Sequence, residues 1–303
     1  MTDIERVGVV GCGLMGAGIA EVCARADVPV TVVERDAQAA RAGLRHITRS
    51  LDRAAAHGRL DAERREAAAA VITVVDQIEA LHDHDLVIEA VPEDEGLKLD
   101  VFTRLDSVVT GDHTILATNT SSIPVIRLAT ATTRPDRVVG VHFFNPVPVL
   151  RLVELVPSLL TSPTTAARAE TFVTGVLGKE VVRTRDKAGF IVNALLVPYL
   201  LAAVRMVESG SATAEDIDRG MVLGCAHPLG PLALTDLIGL DTTRAIAESL
   251  YAEFREPQYS PPPLLSRMVE AGLLGRKSGR GFHGYDGQPH HEAAAPATRA
   301  RPR

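Results

Sequence analysis

Short β-branched runs alternate with amphipathic stretches along the first 185 residues of the chain. Arg6–Val10, Val28–Val33, Ala70–Val75, Leu86–Val91, Thr114–Thr118 and Lys179–Thr184 read as strands bounded by polar or turn-forming residues. Helical periodicity fills the intervals at Ala17–Ala26, 37–70 with a break at His57-Gly58, 96–109 and Pro163–Leu177. Asn119-Thr-Ser-Ser122 is expected to cap the element that follows it. This alternation predicts an α/β domain with a mainly parallel, doubly wound sheet.

One stretch carries an unusual pattern. From Val138 the chain reads as an apolar strand through His142, breaks at Asn145-Pro-Val-Pro148, and resumes with Leu150, Leu152, Glu154 and Val156 on one strand face. A carboxylate among leucines is costly unless paired, and His142 is the nearest strong candidate. A His held by a buried Glu is a general base, since the carboxylate fixes the tautomer and stabilises the imidazolium. The pattern alone equally permits a satisfied core histidine and a rim glutamate.

The composition shifts near Asp186, and Gly189–Val204 is long and apolar enough to test as a membrane span. Asn193, Pro198 and Tyr199 interrupt it, so a buried helix is the better reading, and its all-round apolar surface suggests subunit contacts. Further helices are expected at Thr213–Leu223, Leu232–Phe254 with a break near Gly239, and Pro263–Ala271. The expected organisation is a sheet domain over 1–185, a smaller all-α domain over 186–286, and a disordered tail over 287–303.

At 303 residues, two domains are the default, and 46% hydrophobic content is that of a globular chain. A net charge of −6 argues against nucleic acid or an anionic membrane as a general partner. Cys12, Cys23 and Cys225 show neither disulfide nor metal-ligand spacing, and no metal site is expected. With a first segment lacking the basic-then-apolar pattern of a signal peptide, they predict a reducing, cytoplasmic setting.

The first strand runs directly into Gly11-Cys-Gly13-Leu14-Met15-Gly16, which opens a helix. In this context Gly11 serves the tight turn, Gly13 the backbone approach to a pyrophosphate, and Gly16 the close packing of helix on strand. The next strand ends in Glu34, placed to accept hydrogen bonds from ribose hydroxyls and to repel a 2′-phosphate, which favours NAD over NADP; Arg35 beside it works the other way. In a doubly wound, Rossmann-like sheet, ligands sit at the carboxyl ends of strands. That rule gathers Gly11–Gly16, Glu89–Glu93, Asn119–Ser122 and His142–Asn145 around one crevice.

Arg41, Arg45, Arg49 and Arg53 recur at every fourth position and form a basic stripe on a helix face. The stripe is either a solvated surface or a site for an anion. Arg49 and Arg53 suit phosphate oxygens, and equally the acidic side chains of a protein partner.

Gly11-Cys-Gly-Leu-Met-Gly-Ala-Gly-Ile-Ala20, Asn119-Thr-Ser-Ser122, His142-Phe-Phe-Asn-Pro-Val-Pro148, Gly189-Phe-Ile-Val-Asn193, His227-Pro-Leu-Gly-Pro231 and Gly239-Leu-Asp-Thr242 together resemble the 3-hydroxyacyl-CoA dehydrogenase family over residues 5–286. The likeness is greatest to its bacterial 3-hydroxybutyryl-CoA branch. The resemblance implies NAD-dependent oxidation of a short 3-hydroxyacyl-CoA. It makes His142 the base, Glu154 its partner, and Ser121 and Asn193 the binders of the substrate's oxygen functions. It makes Glu34, Glu93, Lys98, Asn119 and Asn145 cofactor contacts, and implies a homodimer joined through the helical domain. A hydroxyacyl group on acyl carrier protein, or a non-catalytic NAD-binding relative, is the alternative. Ala188, Ala194 and Leu229 depart from the Pro, Arg and Met usual in the family.

Overall fold

The structure, a computed structural model, describes residues 3–285; the tail expected to be disordered, 287–303, lies outside the described residues. Two compact units divide between Phe190 and Ile191.

In the first unit the strands are β1 (Val7–Val10), β2 (Val30–Val33), β3 (Ile72–Val75), β4 (Leu86–Glu89), β5 (Ile115–Thr118), β6 (Val138–Phe143), β7 (Leu152–Pro157) and β8 (Glu180–Arg183). They form one sheet in the order β3-β2-β1-β4-β5-β6-β7-β8. Strands β1 to β6 are mutually parallel, β7 turns back against β6, and β8 runs parallel to β7. The chain leaves β1 toward one edge and returns at β4 toward the other, so the topological switch point lies between those two strands.

Six helices cover the sheet: α1 (Leu14–Arg25), α2 (Ala37–Ala56), α3 (Ala62–Ala70), α4 (Glu95–Val108), α5 (Val125–Ala129) and α6 (Pro163–Gly175). Alternation along each strand feeds two cores. Leu86 and Ile88 of β4 and Ile115 and Ala117 of β5 join Ile19, Ile47, Ala68 and Phe172 of α1, α2, α3 and α6. Val87 and Leu116 point the other way, to Phe102 and Leu105 of α4 and Val125 and Leu128 of α5.

Two expectations are corrected here. α1 starts at Leu14, three residues earlier than the pattern suggested, because the chain enters the helix directly from Gly13. The serines of Asn119–Ser122 do not cap the next helix: α5 has Pro124 at its N-cap, and the N–H groups of Val125 and Ile126 donate to the two carboxylate oxygens of Asp186, each at 2.8 Å. That contact, with Phe190 packed into the core of α4 and α5, carries the first unit five residues beyond the boundary expected at 185.

The second unit holds α7 (Val192–Glu208), α8 (Ala214–Cys225), α9 (Pro231–Ile238), α10 (Leu240–Phe254) and α11 (Pro263–Glu270). Gly239, at φ +102°, makes the expected break between α9 and α10. Asp218 caps α9 through the N–H groups of Leu232 and Ala233 and binds His283 at 2.8 Å. Asp236 accepts from the N–H groups of Phe282 and His283 and from the Tyr285 hydroxyl, tying the last described segment to the helices. No described helix is long and apolar enough to cross a membrane.

Candidate active site

The register of the sheet aligns Val10 with Glu89, Glu89 with Thr118, and Thr118 with Gly140. The loops after β1, β4 and β5 and the end of β6 therefore lie side by side, bringing together the strand ends singled out in the sequence.

At the β1 end, Gly11 sits at φ +95°, and a Cβ on Gly16 would lie 1.9 Å from the Gly11 carbonyl oxygen. Only glycine permits that approach. A Cβ on Gly13 would meet nothing within 4 Å, and no side chain caps α1. The result is open space in front of the partial positive charge of a twelve-residue helix. Glu34, at the end of β2, accepts from the Cys12 N–H at 2.6 Å, which fixes its carboxylate beside the glycine loop. Arg35 turns outward to Asp36, so it does not neutralise Glu34. An open helix N-terminus beside a fixed carboxylate is a lining that fits the phosphates and ribose of a dinucleotide. Burial, with the Glu34 charge beside it, pushes the Cys12 thiol up to about 12, so no thiolate competes in this loop.

At the β4 and β5 ends an ion network sets the loop 119–122. The Lys98 ammonium, 1% exposed, lies 2.6 Å from Glu89 and 3.2 Å from Glu93. Glu89 also accepts from Thr118 and from the Val91 N–H. Glu93 accepts from the Thr120 and Ser122 hydroxyls and from the N–H groups of Ser121 and Ser122. Burial works against the Glu93 charge, but Lys98 and the hydroxyls outweigh it and hold Glu93 below the usual carboxylate range. Asn119 is pinned too, its Oδ1 accepting from the Phe143 N–H at 2.8 Å.

On β6 and β7, His142 and Glu154 are direct cross-strand partners. Both are buried, and His142 Nδ1 lies 2.7 Å from a Glu154 oxygen. The core-histidine reading gives way to the pair: Glu154 is not at the rim, and the other ring nitrogen, Nε2, has no hydrogen-bond partner among the described residues. Two aromatic rings meet the imidazole edge-on, Phe144 at 4.6 Å and Phe190 at 5.5 Å between centroids. Phe190 adopts φ +48° directly after Gly189 at φ +74°, a left-handed pair that a bulky residue enters only when its surroundings demand it. Sequence reasoning missed Phe190 and Phe144 as parts of the site; their only signal was a place inside recognised motifs.

The remaining candidates are dispersed. Asn145 is exposed in the loop after β6. Arg41, Arg45, Arg49 and Arg53 are exposed on α2, with no described contact to the strand-end loops. Asn193 lies in the first turn of α7, in the second unit.

Residues 6–187 match the family model of the 3-hydroxyacyl-CoA dehydrogenase NAD binding domain, and 189–285 that of the 3-hydroxyacyl-CoA dehydrogenase C-terminal domain. The chain belongs to the 3-hydroxyacyl-CoA dehydrogenase family. It is 57% identical to the 3-hydroxybutyryl-CoA dehydrogenase of Mycobacterium tuberculosis over 286 residues, 94% of this chain and all of that one. The human mitochondrial hydroxyacyl-coenzyme A dehydrogenase is 40% identical over 93% of this chain and 91% of its own. Among solved structures, M. tuberculosis FadB2 superposes with a TM-score of 0.92 at 57% identity, covering 93% of this chain and 99% of that chain. The (S)-3-hydroxybutyryl-CoA dehydrogenase of Ralstonia eutropha does so at 0.88 and 44%, covering 94% and 100%. The dehydrogenase described here is an NAD-dependent oxidoreductase, and both of its family domains are present.

Proposed function

We propose that this dehydrogenase interconverts a short-chain 3-hydroxyacyl-CoA, such as 3-hydroxybutyryl-CoA, and the 3-ketoacyl-CoA. The observation that carries the reading is the buried His142–Glu154 pair at 2.7 Å beside the dinucleotide-type strand ends. His142 Nε2 takes the 3-hydroxyl proton while Glu154, on Nδ1, fixes the tautomer and stabilises the imidazolium. NAD, when bound, supplies the hydride acceptor. Gly11, Gly13, Leu14, Met15, Gly16, Glu34, Glu93, Lys98, Asn119 and Asn145 hold it, Glu93 and Lys98 doing so while also setting the 119–122 loop. Ser121 binds the 3-oxygen and Asn193 the thioester side. Arg49 and Arg53 meet the coenzyme A phosphates, as the exposed stripe on α2 suits.

The assembly is a homodimer joined through the helical unit, which exposes Leu195 and Leu223, each at 72%, and Met206. Three free cysteines, two of them buried, support a cytoplasmic setting. No comparison favours an acyl carrier protein substrate or a non-catalytic role.

An NADH assay across acetoacetyl thioesters tests this reading. Acetoacetyl-CoA with NADH is expected to be the best pairing, ahead of longer chains, acyl carrier protein thioesters and NADPH. Arg49→Ala with Arg53→Ala should raise KM for acetoacetyl-CoA about tenfold, with kcat nearly unchanged. The N-acetylcysteamine thioester, which lacks the nucleotide, should not sense that double substitution. Faster turnover of the acyl carrier protein thioester overturns the carrier assignment, no loss on either thioester returns the stripe to a solvated face, and equal losses on both mark damage to the fold by the double substitution.

A further inference from the structure

Lysine is scarce in this chain: of 32 lysines and arginines, four are lysines, Lys98, Lys179, Lys187 and Lys277. Lys98 and Lys179 are buried. Lys98 has two carboxylates to neutralise it, but Lys179, just ahead of β8, makes no ion pair among the described residues. Its Nζ donates instead to two backbone carbonyls, Val147 at 2.5 Å and Leu150 at 2.7 Å. Both belong to the loop 144–151, which joins β6 to β7 and so runs from His142 to Glu154. The loop's own N–H groups at Val149 and Leu150 both turn to the Pro146 oxygen, leaving the Val147 and Leu150 carbonyls to the lysine.

Burying an ammonium against neutral dipoles costs more than filling the space with an apolar side chain. Desolvation, with Arg25 of α1 and Arg151 of the loop, lowers Lys179 to about 8, while Glu21 of α1 favours the charged form. Arg151 is itself paired with Glu180 of β8. The same loop is wedged onto α1, the helix behind the glycine loop: Val147 is 1% exposed, and a Cβ on Gly18 would come within 2.8 Å of it.

We propose that Lys179 is a positioning residue of this dehydrogenase, its ammonium clamping the 144–151 loop against α1 so that Asn145 and the His142–Glu154 pair hold the geometry for cofactor binding and proton transfer. The inference rests on the site reading given above. A compact ammonium reaches both carbonyls, and its charge strengthens both bonds.

Lys179→Met and Lys179→Arg in the full chain test it, with loop and site read separately. Hydrogen exchange of the 144–151 peptide follows the loop. NADH fluorescence and kcat follow the site. In Lys179→Met, exchange should quicken about tenfold in that peptide, with NADH bound about tenfold more weakly and kcat lowered. Wild type should lose NADH affinity several-fold between pH 7 and 9.5, as the ammonium deprotonates. Lys179→Arg, charged throughout, should show no such loss. Unchanged exchange in the Met variant overturns the clamp and leaves the site residues standing. Faster exchange with unchanged NADH affinity and kcat overturns the proposal by removing the loop from the site. Should the Met variant not fold, the pH comparison decides alone, and equal losses in wild type and the Arg variant overturn the clamp.

Discussion

His142 has one ring nitrogen committed to Glu154 and two aromatic edges against its ring, so little except proton exchange at Nε2 is left to it. His142→Gln should therefore lower kcat by a factor on the order of 10²–10⁴ with NADH affinity nearly unchanged. Glu154→Gln should fall in the same parameter by less, because an amide oxygen still orients Nδ1–H but does not stabilise the imidazolium. A His142→Gln enzyme keeping more than about a tenth of wild-type kcat would remove the base from this assignment. Both partners were legible in the sequence, since a carboxylate on an apolar strand face calls for a buried counterpart. Glu93 was visible as part of a polar strand end, but its bonds to the Ser121 and Ser122 N–H groups were not visible at all, because backbone donors leave no mark in a sequence. Phe190 was hidden for a similar reason: what fits it to the imidazole is a left-handed backbone, not its residue type.

At the scale of elements, periodicity found the strands and the longer helices within a few residues, yet it set no bounds for α5 and missed what joins the elements. α5 is a five-residue helix whose first N–H groups are capped from a residue 60 positions later. Such a cap has no local signature, so the sequence reading gave the task to the adjacent serines. Asp186→Ala should lower unfolding stability by about 1–2 kcal/mol, seen as a reduced urea midpoint with an unchanged m-value. A change within about 0.3 kcal/mol would show that α5 finds its donors' partners elsewhere.

For the whole molecule, the order of the sheet turns scattered motifs into one row of loops; alternation of strands and helices implied a mainly parallel, doubly wound sheet, but not that order. The division at Phe190 was less legible, because composition changes where the chain enters a cap rather than where one packed core ends. The apolar surface of the helical unit carries the homodimer proposed above, so Leu195→Glu with Leu223→Glu should move the protein to a monomer in light scattering. An unaltered dimer would place the interface on another face.

The burial of Lys98 and Lys179 also decides how the folded chain meets amine-seeking reagents. Both ammonium groups are shielded and engaged, which leaves Lys187 and Lys277 as the exposed side-chain amines. Lys187 lies three residues before Phe190, the last residue of the first unit. Because Ala188, Gly189 and Phe190 behind it are buried, an endoproteinase that cuts after lysine meets the exposed Lys187 side chain but a shielded backbone. A reactive thioester likewise meets few nucleophilic amines, so a protein that handles activated acyl groups carries its positive charge mostly on guanidinium groups that do not accept them.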